Sequence, residues 1–401
     1  MLAGRPQCLL DAFKLFDIIH RVTTTHESVT WITTQVLHDF HQDGVVYCEL
    51  RTTPKARPGM TKASYVQAVL KGIKVFTDSF SQAGSSTHTD GPSGERMPAA
   101  RSCNQAPQQE YMPAGLASDP GGASRGSMPA APKPCNSQPQ QECSQAGLHC
   151  GGGTDIPGSG NSSSGMASSA GNSEDGVSNR NGGDTGCPPI CNSGTADKPM
   201  WVRLLLSIDR REGAAAAMET VGAAEGGGLV VGIDLSGNPA LGCWEDWEPA
   251  LQHARSLGLK ISLHAAEVYS PAETAAMLGF APDRLGHMCC LDPDLEAALW
   301  ASGIPVELCL TSNLLTSSVP TYTDHHFGTF HAHTRRHPLV LCTDDSGVFG
   351  TTLSQEYAIA AQAFGLTEAD ILQLALSAVD YTFLQEAEKQ ELRAAFSSKG
   401  L

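Results

Sequence analysis

At 401 residues, 41% of them hydrophobic, the chain can bury a large core. Its formal net charge of −16 excludes an overall positive field that would gather nucleic acid or an anionic membrane surface, and no apolar run is long enough to cross a bilayer. With 41 Gly and 24 Pro, part of the chain is expected not to pack, and 13 Cys scattered through apolar and polar stretches, with no secretory leader, point to reduced thiols in the cytoplasm.

In chain order, Leu9, Leu10, Phe13, Phe16 and Ile19 recur at helical spacing and predict a helix over 6–22. Val29, Ile32, Val36, Leu37 and Phe40 predict a second. Gly44 then introduces a strand over 45–50 that ends in charge at Glu49 and Arg51. The loop Thr52-Thr53-Pro54-Lys55 follows, and a helix capped near Thr61 runs to about residue 76. Residues 81–199 change character, with runs of Gly, Ser, Ala, Pro, Asn and Gln and no sustained periodicity. Such a segment buries too little apolar surface to offset chain entropy and reads as a disordered insertion between two parts of one domain, 1–80 and 200–401. Within it, the phrase around Cys103-Asn104 and Pro107 is echoed around Cys135-Asn136 and Pro139, a local duplication without helical or strand pattern. Cys187 and Cys191 have metal-like spacing, but no second pair answers them, so no zinc site is expected there.

Beyond the insertion, apolar runs alternate with helical patterns, the mark of βα units on a parallel sheet. Strands are expected at 45–50, 201–208, 229–235, 260–264, 284–287, 305–310 and 338–343, with helices between them and three more closing the chain. A closed (β/α)8 barrel needs one strand more than these seven. Nearly every strand ends in a polar group: Glu49 with Arg51, Asp209, Gly237, His264 with Glu267, His287, Asn313, and Asp344 with Asp345. A parallel barrel places its reactive groups at these ends. One histidine there is ordinarily a satisfied structural residue, and Asp-Asp-Ser-Gly alone is a turn. Jointly, His264, His287, Asp344 and Glu267 form a histidine and carboxylate set that suits a hydrolytic Zn²⁺ site.

The motifs SLHAAE (262–267), RLGH (284–287), ELCLTSN (307–313) and CTDD (342–345), in that order, resemble the adenosine/AMP deaminase family of metal-dependent hydrolases. ELRTTPK (49–55), GIDLSGNP (232–239), VPTYTDHHF (319–327) and TDDSGVFGTTLSQEY (343–357) extend the resemblance to about 1–80 and 200–390. It implies a TIM (β/α)8 barrel, one Zn²⁺ per subunit and a cytoplasmic monomer. It further implies a small-molecule purine nucleotide as substrate, with no nucleic acid or membrane partner. The implied reaction is hydrolysis of N6-methyl-AMP to IMP and methylamine, with AMP or adenosine as the alternative substrate. By matching motif, His264 and Asp344 would be metal ligands, and Glu267 would protonate the purine ring nitrogen beside the reacting carbon. His287 would orient or deprotonate the attacking water. Asp345 and the Gly237 backbone N–H would hold the purine. His20, Thr52, Thr53, Pro54, Lys55 and Asp209 would hold the rest of the nucleotide.

The family's first strand carries a His-x-His pair that completes the metal site, and the sequence begins at Met1 within the helices that follow that strand. His331-Ala332-His333 has the spacing but lies where no strand is expected, and is read as coincidence. The chain is therefore expected to lack the first strand. It is either the record of a longer active protein begun at an internal Met, an inactive nucleotide-binding fragment, or a chain completed by a strand from another.

Overall fold

The computed structural model describes residues 8–83, 199–226, 228–332 and 337–397. The duplicated phrase, Cys187, Cys191, His333 and nearly all of the expected insertion lie outside them.

The first two helices, α1 (Leu9–Val22) and α2 (His26–Gln42), precede the first described strand. Thr25 starts α2 through a capping box with Ser28, and Gly44, at φ +86°, turns the chain towards the sheet after it ends. Strand β1 (Tyr47–Thr52) leads to α3 (Lys62–Ala83), which runs three residues past the expected start of the insertion at 81. Val29 and Leu37 of α2 bury against Val66, Val69, Ile73 and Phe76 of α3.

The remaining strands and helices alternate: β2 (Trp201–Asp209), α4 (Ala214–Gly222), β3 (Val230–Ser236), α5 (Trp244–Ser256), β4 (Lys260–Ala265), α6 (Pro271–Phe280), β5 (Arg284–His287), α7 (Pro293–Ser302) and β6 (Val306–Leu308). Then come α8 (Leu310–Leu315), α9 (Phe327–Ala332), β7 (Leu339–Leu341), α10 (Ser346–Phe349), α11 (Leu353–Phe364), α12 (Glu368–Ala378) and α13 (Glu386–Ser397). The seven strands pair in sequence order, each parallel to the next. Leu204, Leu205, Leu206 and Ile208 of β2 are fully buried, as the unalternating apolar run requires of a strand covered on both faces.

Two boundaries differ from expectation for visible reasons. The strand expected over 305–310 stops at Leu308 and the chain winds into α8, because Thr311 N donates to Glu356 Oε2 of α11 (3.2 Å) instead of to a neighbouring strand. The last helix begins at Glu386 rather than near residue 383: Phe383 N donates to Glu49 Oε1 (2.6 Å), and its ring lies 3.5 Å from the Arg284 guanidinium. Val379, Leu384 and Leu392 cluster with Val46, Tyr47 and Trp201, so the C-terminal helices cover the N-terminal ends of β1 and β2. The opposite, C-terminal ends of the strands are left to carry polar groups. No described helix is long and apolar enough to cross a membrane.

Candidate active site

The ligand atoms of His264, His287 and Asp344 lie within 4.8 Å of one another, the one such group of three among the described residues. β4, β5 and β7 deliver them. Four of the six described non-glycine residues with positive φ sit in the turns after these strands: Ala266, His287, Met288 and Asp344. Left-handed backbone costs such residues energy and persists where surrounding bonds over-determine it. Here the bonds are Met288 N to Ala265 O (3.0 Å), Cys290 N to Ala266 O (2.8 Å) and His326 Nε2 to His287 O (2.6 Å).

His264 Nδ1 lies 3.0 Å from Asp234 Oδ1, which leaves Nε2 for the shared space. Burial alone would pull this imidazole down, but the Asp234 carboxylate more than offsets it and lifts the ring to about 9. Asp234 is fully buried, takes the Ser207 hydroxyl at 2.9 Å and lies 3.8 Å from Arg51. Arg51 pairs onward with Glu307, Glu307 with Arg284 (2.6 Å), and Arg284 with Glu49. A file of alternating charges thus crosses the interior from the C-terminal helices to His264. Burial opposes ionisation of Glu307, yet the charges of Arg51 and Arg284 hold its carboxyl down at about 2.

Glu267 Oε2 is 3.8 Å from His287 Nε2. Asp344 Oδ2 accepts the Ser312 hydroxyl (2.7 Å), and Asn313 Nδ2 meets His287 Nδ1 (3.1 Å). Asp345 is exposed, yet the protein atoms crowding its carboxyl, followed by the charge of Asp344, push it up to about 8. An imidazole and a carboxylate converging at these distances, with a second imidazole beside them, suit a divalent transition metal.

The residues expected to hold the rest of a nucleotide gather at the ends of β1 and β2. Lys55 Nζ contacts Asp209 Oδ2 (2.5 Å), and Arg211 grips the same carboxylate through its backbone N (3.0 Å) and Nη2 (2.8 Å). Burial would raise the Asp209 carboxyl, but Arg211 and Lys55 outweigh it and hold it well below the usual range. His20, in the last turn of α1, is half-buried, and its carbonyl accepts from Arg57 Nη2 (2.7 Å). Desolvation, then the charges of Lys55 and Arg211, lower its ring. Thr52 Oγ1 pairs with Tyr65 OH (2.9 Å), Pro54 is buried and Thr53 is half-buried between them. A Cβ at Gly237, at φ +103°, would fall 2.9 Å from Asp209 Oδ1, so the glycine is required by its neighbour and by its backbone. His331 lies in α9 and is not one of the group of three.

The residue types and order of this site decide its kinship. A family model described as adenosine deaminase matches residues 189–398. An N6-mAMP deaminase of Arabidopsis thaliana is 36% identical over 396 residues, covering 97% of this chain and 83% of that protein. The chain belongs to the adenosine deaminase family. Members of known structure include the apo N6-methyl-AMP deaminase of Arabidopsis thaliana, at a TM-score of 0.66 and 35% identity over 98% of this chain and 84% of that one. A second is the Arabidopsis protein complexed with IMP, at a TM-score of 0.66 and 34% identity over 98% of this chain and 83% of that one. By family the chain is a deaminase acting on a purine C–N bond.

Sequence reasoning singled out Asn313 and Arg51 as strand-end polar groups without a role, and passed over Asp234, Ser312, His325 and His326. A signal for one of them was present, since an Asp inside the apolar run 229–235 has no reason to be buried without a partner.

Proposed function

We propose that the chain is a Zn²⁺-dependent nucleotide aminohydrolase converting N6-methyl-AMP and water to IMP and methylamine. The observation that carries this reading is the convergence of His264, His287 and Asp344 with Glu267 beside them, in a family whose relatives include N6-methyl-AMP deaminases. His264 and Asp344 would hold the metal, which supplies Lewis acidity and brings the pKa of water towards neutrality. Glu267 protonates the purine ring nitrogen next to C6, making that carbon the site of attack. Protonated Asp345 donates to the imidazole nitrogen of the purine, and the Gly237 N–H approaches the ring from another side. Lys55, Thr52 and Thr53 offer donors to the phosphate, and Pro54, Asp209 and His20 shape that end of the pocket. Binding of a small purine nucleotide alone, by a cytoplasmic monomer with no nucleic acid or membrane partner, completes the reading.

The domain is a barrel assembled from 1–80 and 200–401 and interrupted by 81–199. The seven described strands are seven of the eight that such a barrel takes, and none of them carries the family's His-x-His pair. A second reading, nucleotide binding without turnover, is favoured by one observation: the sequence's single His-x-His is 331–333, and His331 lies in a helix and not at the end of a described strand. Zinc content and initial rates on N6-methyl-AMP, AMP and adenosine, measured for the chain with and without a preceding His-x-His strand, decide between them. The proposed function requires the extended protein to hold one zinc and to prefer the methylated nucleotide; equal rates on the three substrates sink it.

A further inference from the structure

The His287 ring is held by residues that touch no reacting group. Phe327 N lies 2.9 Å from His325 Nδ1, and a backbone N–H can only donate, so His325 Nδ1 carries no proton. The proton of the neutral His325 ring is therefore on Nε2, 3.0 Å from Asn313 Oδ1. With its oxygen so engaged, Asn313 presents Nδ2, a donor only, to His287 Nδ1 at 3.1 Å. The opposite amide orientation would set the Asn313 NH₂ against His325 Nε2–H, so the direction of the whole file follows from one backbone amide.

We infer that Asn313 and His325 are positioning residues that fix neutral His287 as its Nε2–H tautomer, so that His287 meets the reacting oxygen as a hydrogen-bond donor and not as a base. Nε2, 3.8 Å from Glu267 Oε2, is the nitrogen on the side of the shared site. A protonated Nε2 has no lone pair for a metal, which assigns ligation to His264 and Asp344 within the group of three and leaves removal of the water's proton to a carboxylate. This consequence rests on the proposed function; the tautomer itself does not.

The relay is built rigidly. Asn313 and His325 are each 2% exposed, Asn313 N is bonded into α8 through Cys309 O (2.9 Å), and His325 stacks on His326 with ring centroids 4.2 Å apart. His326 in turn holds the His287 carbonyl at 2.6 Å, so adjacent histidines fix both the ring and the left-handed backbone of one residue. Burial, then the neighbouring His326 and His287, push His325 down to about 2 and keep the relay neutral across the working pH range.

The test is long-range ¹H–¹⁵N correlation of the whole chain labelled in histidine, with the His287 signals assigned by their loss in His287→Gln. Nδ1 should show the shift of an unprotonated nitrogen and Nε2 that of a protonated one; the reverse overturns the inference. In Asn313→Asp an acceptor faces Nδ1, and the proton should move there, whereas His325→Phe should give a mixture of tautomers. Unchanged His287 signals in both variants, with the other histidine signals in place, would also overturn it. In the protein extended by its metal-binding strand, Asn313→Asp should lower kcat by roughly 10²-fold while KM moves less than about twofold. If the tautomer is as stated but the extended wild-type protein has no deaminase activity, the relay stands and the proposed function fails.

Discussion

Under the proposed function, Lys55 is the residue on which substrate choice would turn. Its ammonium has three donors, one of them engaged by Asp209, and it stands with Arg57 and Arg211 around His20 in a chain of net charge −16. Lys55 also lies 3.7 Å from Glu212 Oε1, and the donors it has left would have a use when the substrate carries phosphate. Lys55→Met should raise KM for N6-methyl-AMP by about tenfold or more, the scale of one charge-assisted hydrogen bond, and leave N6-methyladenosine nearly unaffected. Parallel Michaelis curves for the two substrates check it; an equal loss on both would show that Lys55 acts by holding Asp209 in place. The residue type and its neighbours Thr52 and Thr53 read in the sequence as donors suited to a phosphate. Its engagement by Asp209 was not legible there, because 154 positions separate the two in the chain.

Among elements, the strands are tied at their centre by Arg51, which reaches from β1 to Ser262 of β4 (3.1 Å), Glu307 of β6 and Asp234 of β3. Removing one member of a buried ion pair leaves the others charged in a low-dielectric interior, a loss of about 3–5 kcal/mol. Arg51→Met should show that loss in urea denaturation, and because Asp234 then loses one support of His264, zinc affinity should fall with it. A variant as stable as wild type would mean that Glu307 and Asp234 are satisfied without Arg51. The strand order was legible, since each apolar run ends in a polar residue and a helical pattern follows. The lengths of β6 and β7 were not: Cys309 and Cys342 look like strand residues, but pairing in β6 and β7 stops at Leu308 and Leu341.

For the molecule as a whole, stability should depend on pH through buried histidines. His325 and His326 are held neutral, at about 2 and about 4, burial being the largest cause in each. Unfolded, each takes up a proton near pH 6.5, so the unfolded state binds more protons between that value and the folded one, and stability falls as pH falls through this window. Each should cost on the order of 1–2 kcal/mol between pH 7 and 5. Between pH 7 and 5 the melting temperature of His326→Phe should gain on that of wild type, because the raised carboxyl of Asp345 acts in the opposite sense and is common to both; parallel curves would contradict the assignment. Replacing 84–198 by a short Gly/Ser linker should leave the melting temperature of the chain nearly unchanged, because the proposed domain is assembled from the residues on either side. A large drop would show that the replaced segment carries part of the core.

The sequence by itself determined the parallel α/β class, the order of the strands and the set of His264, Glu267, His287, Asp344 and Asp345 at their ends. Each of these is carried by residues close together in the chain, where periodicity and turn chemistry act. Tertiary structure alone decided which atom of each group is free. Asp234 occupies Nδ1 of His264, Asn313 occupies Nδ1 of His287, Ser312 takes one oxygen of Asp344, and Arg211 with Lys55 engages Asp209. Most of these partners lie tens to hundreds of positions away, and a hydrogen bond depends on distance and direction in space, which a pattern along one strand does not contain.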